Sequence, residues 1–329
     1  YGWMGVMGQS AFAVRLWSVF LGVLTVAAMF TVARKLINVR VAWAAAIIVA
    51  LAAFHVQYSQ ETRMYALLGL LTLLTTYTFL KASTARHSSS FWRYWIIFGV
   101  LAGLMMYTQQ LAAFYLIAIA SLPIMKRRWQ LIPGLIVGIG VALLIYSPWL
   151  LQLPGQLAKV GSYYWIEKPN IAAFLRTTFS FLVVNLDIPR QTFVWTLSVA
   201  VFLIVLLGAF LLLRLTTRHK RKLAISSGGL TALWLAVIPV VLMWLVSQVR
   251  PVYLERALLP SAMLLYLFVG WMLAGEVIPR FLWRLLVIPL FILFSVGLYF
   301  QYTWSTFPNS PFNTVTQQIQ VQWQTGDII

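Results

Sequence analysis

Apolar stretches close to bilayer-spanning length recur along almost the whole chain: 11–33, 41–57, 63–80, 94–108, 110–125, 131–149, 193–213, 227–247, 256–275 and 284–301. A helix needs about 20 mostly apolar residues to cross a hydrocarbon core ~30 Å thick. A chain built from such stretches has lipid as its solvent. Only 9% of the residues are charged and 62% are hydrophobic, against about a quarter charged in a soluble domain, so the exterior as well as the core must be apolar. The fourth and fifth stretches form one uncharged run from Tyr94 to Met125, too long for a single upright helix, and Tyr107-Thr108-Gln109-Gln110 is the expected turn. The expected fold class is therefore an all-α integral membrane protein with about ten transmembrane helices, in segments 11–149 and 193–301. A long loop at 150–192 separates them, and short outer segments stand at 1–10 and 302–329.

The net charge of +18 raises nucleic acid as a partner, and the charge distribution answers it. Sixteen of the 24 basic residues fall in one set of loops: Arg34, Lys35 and Arg40; Lys81, Arg86 and Arg93; Lys126, Arg127 and Arg128; Arg214, Arg218, Lys220, Arg221 and Lys222; Arg280 and Arg284. That set holds a single acid, Glu276. The alternate set carries the other five of six acids, Glu61, Glu167, Asp187, Glu255 and Asp327. The alternation keeps step with ten crossings, so the basic loops are expected in the cytoplasm and both chain ends outside. The basic clusters are short, lie within a few residues of helix ends and lack interleaved aromatics. They suit membrane lipids with anionic head groups and not nucleic acid. The 15 Trp and 14 Tyr suit two membrane–water interfaces. Cysteine is absent and His55, His87 and His219 show no ligand spacing, so no metal site is expected from these residue types.

With short cytoplasmic loops, a site belongs on the outer face, where three segments stand out. The first runs from His55 to Tyr65. Ser59 is expected to N-cap the next helix, with Glu61 complementing the dipole of its first turn. Arg63 lies where hydrocarbon begins, which costs about 2–3 kcal/mol unless it snorkels or is paired. Its guanidinium fork suits phosphate or carboxylate, and a carboxylate such as Glu61 acts as a base or holds a cation. The second, Gln248 to Arg256, places Arg250, Tyr253, Glu255 and Arg256 around the helix breaker Pro251; it reads either as a surface ion pair or as a second anion-binding element. The third is the loop at 150–192, with Tyr163-Tyr164-Trp165-Ile166-Glu167-Lys168-Pro169 and an amphipathic stretch at 171–186. Its aromatics suit an interfacial belt, and equally stacking on sugar rings or a lipid-tail groove. A connection this long is unusual in a compact protein.

Four motifs occur in order: Arg15-Leu-Trp-Ser followed by Gly22, Ser59-Gln-Glu-Thr-Arg-Met-Tyr65, Tyr164-Trp-Ile-Glu-Lys-Pro169, and Arg250-Pro with Arg256 and Pro260. Together they resemble the dolichyl-phosphate-mannose–protein mannosyltransferase-like enzymes of the GT-C superfamily, glycosyltransferase family 39, which include the bacterial aminoarabinose transferase to lipid A. The resemblance runs over essentially the whole chain, and the Ser-Gln-Glu-x-Arg-Met-Tyr segment is its most specific part. It implies an inverting transfer of a sugar from a polyprenyl-phosphate donor to a protein, lipid or glycan acceptor, at the outer face of the cell membrane. Arg63, Arg256 and Arg250 would hold the donor phosphate, Glu61 would organise the site or a bound divalent cation, and Tyr65, Tyr253, Tyr164 and Trp165 would line the substrate pocket. No other cofactor is implied.

The family's general base is an Asp, sometimes followed by Glu, in the first outer loop, yet no acid precedes Glu61 here. The chain opens on Tyr1 in a polar, Gly-rich segment and closes on polar residues from Ser305 onward, so a preceding helix and an acid-bearing loop are expected upstream, with further chain downstream. Thr108-Gln109 departs from a family pattern in which His follows Thr. The competing readings are a transporter or lipid flippase, which would place ionisable groups or broken helices near the midplane in repeated halves, and a non-catalytic lipid-binding homologue. No internal repeat is visible.

Overall fold

The computed structural model describes residues 2–8, 10–85, 90–152, 155, 166–183, 190–217, 227–274 and 280–303, and among them the regular structure is entirely helical. The helices are α1 (Gly2–Met7), α2 (Ala11–Leu36), α3 (Val39–Leu51), α4 (Ala53–Gln60), α5 (Tyr65–Thr84), α6 (Phe91–Thr108), α7 (Ala113–Ala120) and α8 (Leu122–Met125). They continue with α9 (Ile132–Leu150), α10 (Ala172–Val183), α11 (Arg190–Thr217), α12 (Ser227–Ser247), α13 (Leu259–Ala274) and α14 (Arg280–Thr303). Among the described residues eight helices are long and apolar enough to cross a membrane, and the bent pair α3–α4 makes a ninth candidate. The expected span at 110–125 is the exception. It consists of a 3-10 turn, α7 and α8 over Gln110–Met125; at ~1.5 Å per residue it falls short of a full upright crossing. The turn at Tyr107–Gln110 does separate it from α6, since Gln109 is extended (φ −155°, ψ 115°).

Local chemistry sets the first hairpin. Ser10 caps α2, its Oγ accepting from the Ala13 amide at 3.1 Å. Arg34 and Lys35 sit in the last turn, where cations complement the helix dipole. Asn38 Oδ1 then accepts from Val41 N at 2.9 Å and starts α3.

The interior is built on α13. In the Glu255–Ala274 span 83% of the most apolar window is buried, against 17% for Gln191–Ala209 in α11, so α13 is the axis of the bundle and α11 faces lipid. The threonines Thr72 and Thr76 inside satisfy themselves along their own helix, as lipid favours. Thr72 and Thr76 on α5 donate to Leu68 O at 2.7 Å and Thr72 O at 2.6 Å, and Thr76 Oγ1 also meets Tyr115 OH on α7 at 2.6 Å. Between α6 and α9 the contact is made by small residues: a Cβ on Gly99 would stand 2.5 Å from Gly138 O, the close backbone approach that stabilises helix pairs in membranes.

One departure from the sequence reading shapes the site. The expected span at 41–57 breaks at Ala52 (φ −66°, ψ 113°), and α3 and α4 diverge by 58°. Ser59 is therefore inside α4, its hydroxyl donating to His55 O at 2.8 Å, and it does not cap the following helix. That helix begins at Tyr65 after Met64 with no side-chain cap, while Glu61 closes α4. The three residues by which α4 outruns the expected span, Tyr58 to Gln60, displace the expected cap, and Glu61 is freed from a dipole role.

Candidate active site

Several chain-distant segments meet where α4 ends. They are the Glu61–Met64 connection, the strap at 166–170, α10, and the 3-10 turn Glu255–Leu258 that leads into α13. One side chain of α12 and one just past its end staple the strap. Trp244 Nε1 donates to Asn170 O at 3.1 Å, and Gln248 Nε2 donates to Pro169 O at 3.0 Å. Helix α10 is tied to the segment before α13 by Thr177 Oγ1 and Tyr253 OH, 2.6 Å apart, and by Ser180 Oγ donating to Glu255 Oε2 at 2.8 Å. Gln60 Nε2 donates to Tyr302 OH on α14.

These elements enclose a cavity of about 600 Å³. Phe54, Gln57 and Tyr58 supply its α4 wall, Lys168 and Pro169 its strap wall, and Arg176, Tyr253 and Arg256 the remainder. An aromatic cluster supports it: Phe54 meets Tyr58 edge-on at 4.8 Å and Phe181 at 5.2 Å, and Tyr58 leans on Tyr65 at 4.7 Å. Three cations, Lys168, Arg176 and Arg256, and two acids, Glu167 and Glu255, line it. Glu255 is already engaged by Ser180, so Lys168, Arg176 and Arg256, with Glu167, are the charges that a ligand would meet.

Glu61 stands at the junction of the two arginine-bearing segments. Gln57 Nε2 donates to its Oε1 at 3.3 Å. Burial raises the Glu61 carboxyl above the usual carboxylate range, while the Gln57 hydrogen bond and the Arg63 and Arg256 charges pull it back. Arg63 is exposed and lies over the Tyr65 ring, 5.2 Å from its centroid, a cation–π contact. Positive charge thus reaches Glu61 from both Arg63 and Arg256, 193 positions apart in the chain. Burial and Glu255 push the Tyr253 phenol up to about 12, against the Thr177 hydrogen bond and the Arg176 charge. It remains a neutral hydroxyl at any physiological pH.

The fold that carries these segments matches a solved protein. The crystal structure of ArnT from Cupriavidus metallidurans in the apo state superposes with a TM-score of 0.54 over 86% of this chain, at 14% identity. The chain has the GT-C fold. It spans about half of that relative, 49% of its length. Residues 2–151 match the family described as dolichyl-phosphate-mannose-protein mannosyltransferase, a match that contains Glu61, Arg63 and Tyr65 and stops short of Arg256. No curated protein sequence matches significantly.

Within this GT-C framework the sequence-predicted residues divide. Tyr253 and Arg256 line the cavity, while Glu61, Arg63 and Tyr65 lie outside its lining, with Glu61 and Tyr65 in the field of Arg256. Arg250 is exposed at the end of α12 and is not among the residues lining the cavity. Tyr164 and Trp165 lie outside the described residues. Gln57, Tyr58, Arg176 and Thr177 were missed. A signal existed for Arg176, the lone charge in the α10 sequence; none marks Gln57 and Tyr58, whose place depends on the bend at Ala52. Among the described residues no three His, Asp or Glu side chains gather in a metal-binding group, so they form no ready cage for a divalent cation.

Proposed function

We propose that this chain transfers a sugar from a polyprenyl-phosphate donor to an acceptor hydroxyl at the extracytoplasmic membrane surface, with inversion. The observation that carries the reading is the convergence of Arg63 and Arg256 on Glu61 beside a cavity of about 600 Å³ at one end of the bundle. The acceptor oxygen attacks the anomeric carbon as the bond from that carbon to the phosphate oxygen breaks. Polyprenyl phosphate departs with the electron pair. Arginines fixed in advance beside that oxygen stabilise the charge as it develops, usually the largest catalytic contribution. The acceptor proton needs a base. Glu61 has the raised proton affinity that base catalysis uses, and it organises the two arginines while an upstream acid, where present, serves the acceptor directly. The fold and the partial family match support a glycosyltransferase. A donor carried by a lipid phosphate accounts for why the arginines sit at membrane level.

Transfer of labelled sugar from a polyprenyl-phosphate donor by the complete protein in proteoliposomes tests this. Arg63→Ala and Arg256→Ala are each expected to lower turnover by a factor on the order of 10²–10³ with normal membrane insertion. Arg250→Ala is expected to cost much less. Wild-type turnover by both Arg63→Ala and Arg256→Ala would remove the phosphate assignment, and substrate flux without glycosyl product would favour a transporter.

A further inference from the structure

The end of the bundle away from the candidate active site carries a second cleft, about 130 Å³, between the last turns of α2 and α5, the α8–α9 connection and the start of α12. Lys35, Lys126 and Arg128 face it together with Ser83, Thr84 and Thr231. We propose that this cleft binds the phosphomonoester headgroup of an anionic membrane lipid. This reading stands apart from the transfer reaction and does not depend on it.

The cations are placed there by the backbone. The Arg127 amide donates to Ile124 O at 3.0 Å and the Arg128 amide to Pro123 O at 2.7 Å. This is the paired closure that ends a helix through a left-handed residue, usually glycine. Here that residue is Arg127 with φ 52°, a conformation unfavourable for a side chain bearing a Cβ. The turn aims Lys126 and Arg128 into the cleft and leaves Arg127 out of its lining. Lys126 is half-buried, and its Nζ donates to Thr231 Oγ1 on α12. Burial, and then the Arg128 charge, lower its proton affinity, so an anion placed between the two cations would offset their repulsion. The Ser83 and Thr84 hydroxyls already donate to Leu80 O at 2.9 and 3.1 Å. Recognition therefore rests on charge, which selects a dianionic phosphate over a zwitterionic headgroup. Exposed Ile124, Met125 and Trp129 lie beside the cations, an apolar apron for acyl chains that a free phosphate would not use.

The test counts lipids on the full chain by native mass spectrometry, after incubation with dioleoyl phosphatidic acid in tenfold excess of dioleoyl phosphatidylcholine. One phosphatidic acid per chain is expected to be retained preferentially. Lys35→Gln and Arg128→Gln should each weaken its retention about tenfold. Arg127→Gly removes a charge from the same loop while accepting the left-handed backbone, and should leave retention unchanged. Retention by Lys35→Gln and Arg128→Gln equal to wild type would overturn the site. Equal losses in all three variants would reduce it to general attraction for a basic surface. Displacement of the lipid by millimolar inorganic phosphate would overturn the lipid assignment.

Discussion

Glu61 and Tyr253 show how single residues at the cavity are tuned, and each yields a measurable consequence. Burial raises the Glu61 carboxyl in the folded protein, against the pull of Gln57, Arg63 and Arg256. An acid that binds its proton more tightly when folded contributes stability that is complete below its unfolded value, about 4.3. That contribution is lost as pH rises through the folded value. Glu61→Gln keeps the hydrogen-bonding shape without the charge. Its melting temperature relative to wild type should therefore climb as pH rises above about 4, even as transfer falls. A difference that stays flat with pH would mean that burial does not govern this carboxyl. For Tyr253 the neutral hydroxyl pairs with Thr177 at 2.6 Å in a buried setting. Tyr253→Phe leaves the Thr177 hydroxyl without this partner, at a cost of about 1–3 kcal/mol, read in denaturation of the purified protein. Because the hydroxyl stays neutral, no pH dependence of that cost is expected below pH 10.

At the scale of elements, the decisive structure is α4, and it is also the part least legible in the sequence. The long helices announced themselves through apolar run length, and α10 through its amphipathic pattern between Ile171 and Leu186. The break at Ala52 had no such signal: Leu51-Ala52-Ala53 contains neither Gly nor Pro, the usual causes of a kink. Tertiary packing supplies it. Gly22 on α2 admits Ser59, since a Cβ there would stand 2.4 Å from Ser59 Oγ, and Gly297 on α14 admits Ala53 and Val183 O. Two glycines on two distant helices thus cradle α4 from opposite ends, a relation that one sequence cannot display. Gly22→Ala should overpack this contact and cost about 1–3 kcal/mol, with a matching loss of transfer as α4 shifts Tyr58 and Glu61. The same substitution in a Ser59→Gly background should cost less, because the residues in contact are coupled. Equal costs in both backgrounds would show that the Gly22–Ser59 approach does not hold α4.

Across the whole molecule, the charge asymmetry seen in the loops becomes two chemically distinct ends. Lys35, Lys126 and Arg128 converge at the C-terminal end of α5, while the cavity with Tyr58 and Arg256 lies by its N-terminal end. The 20 residues of α5 between them span roughly 30 Å at 1.5 Å per residue, the thickness of the hydrocarbon core. The two clefts thus stand a bilayer's thickness apart, and we propose, from the excess of Lys and Arg at the first, that it faces the cytoplasm. The absence of cysteine makes this orientation directly testable, because one introduced thiol is the only one in the chain. Asn170→Cys on the strap and Gln130→Cys in the α8–α9 connection replace exposed, uncharged residues. A membrane-impermeant maleimide added to intact cells should label Asn170→Cys and spare Gln130→Cys until the membrane is opened. The reverse pattern would put the arginine cavity in the cytoplasm, where the proposed transfer to an outer-face acceptor could not occur.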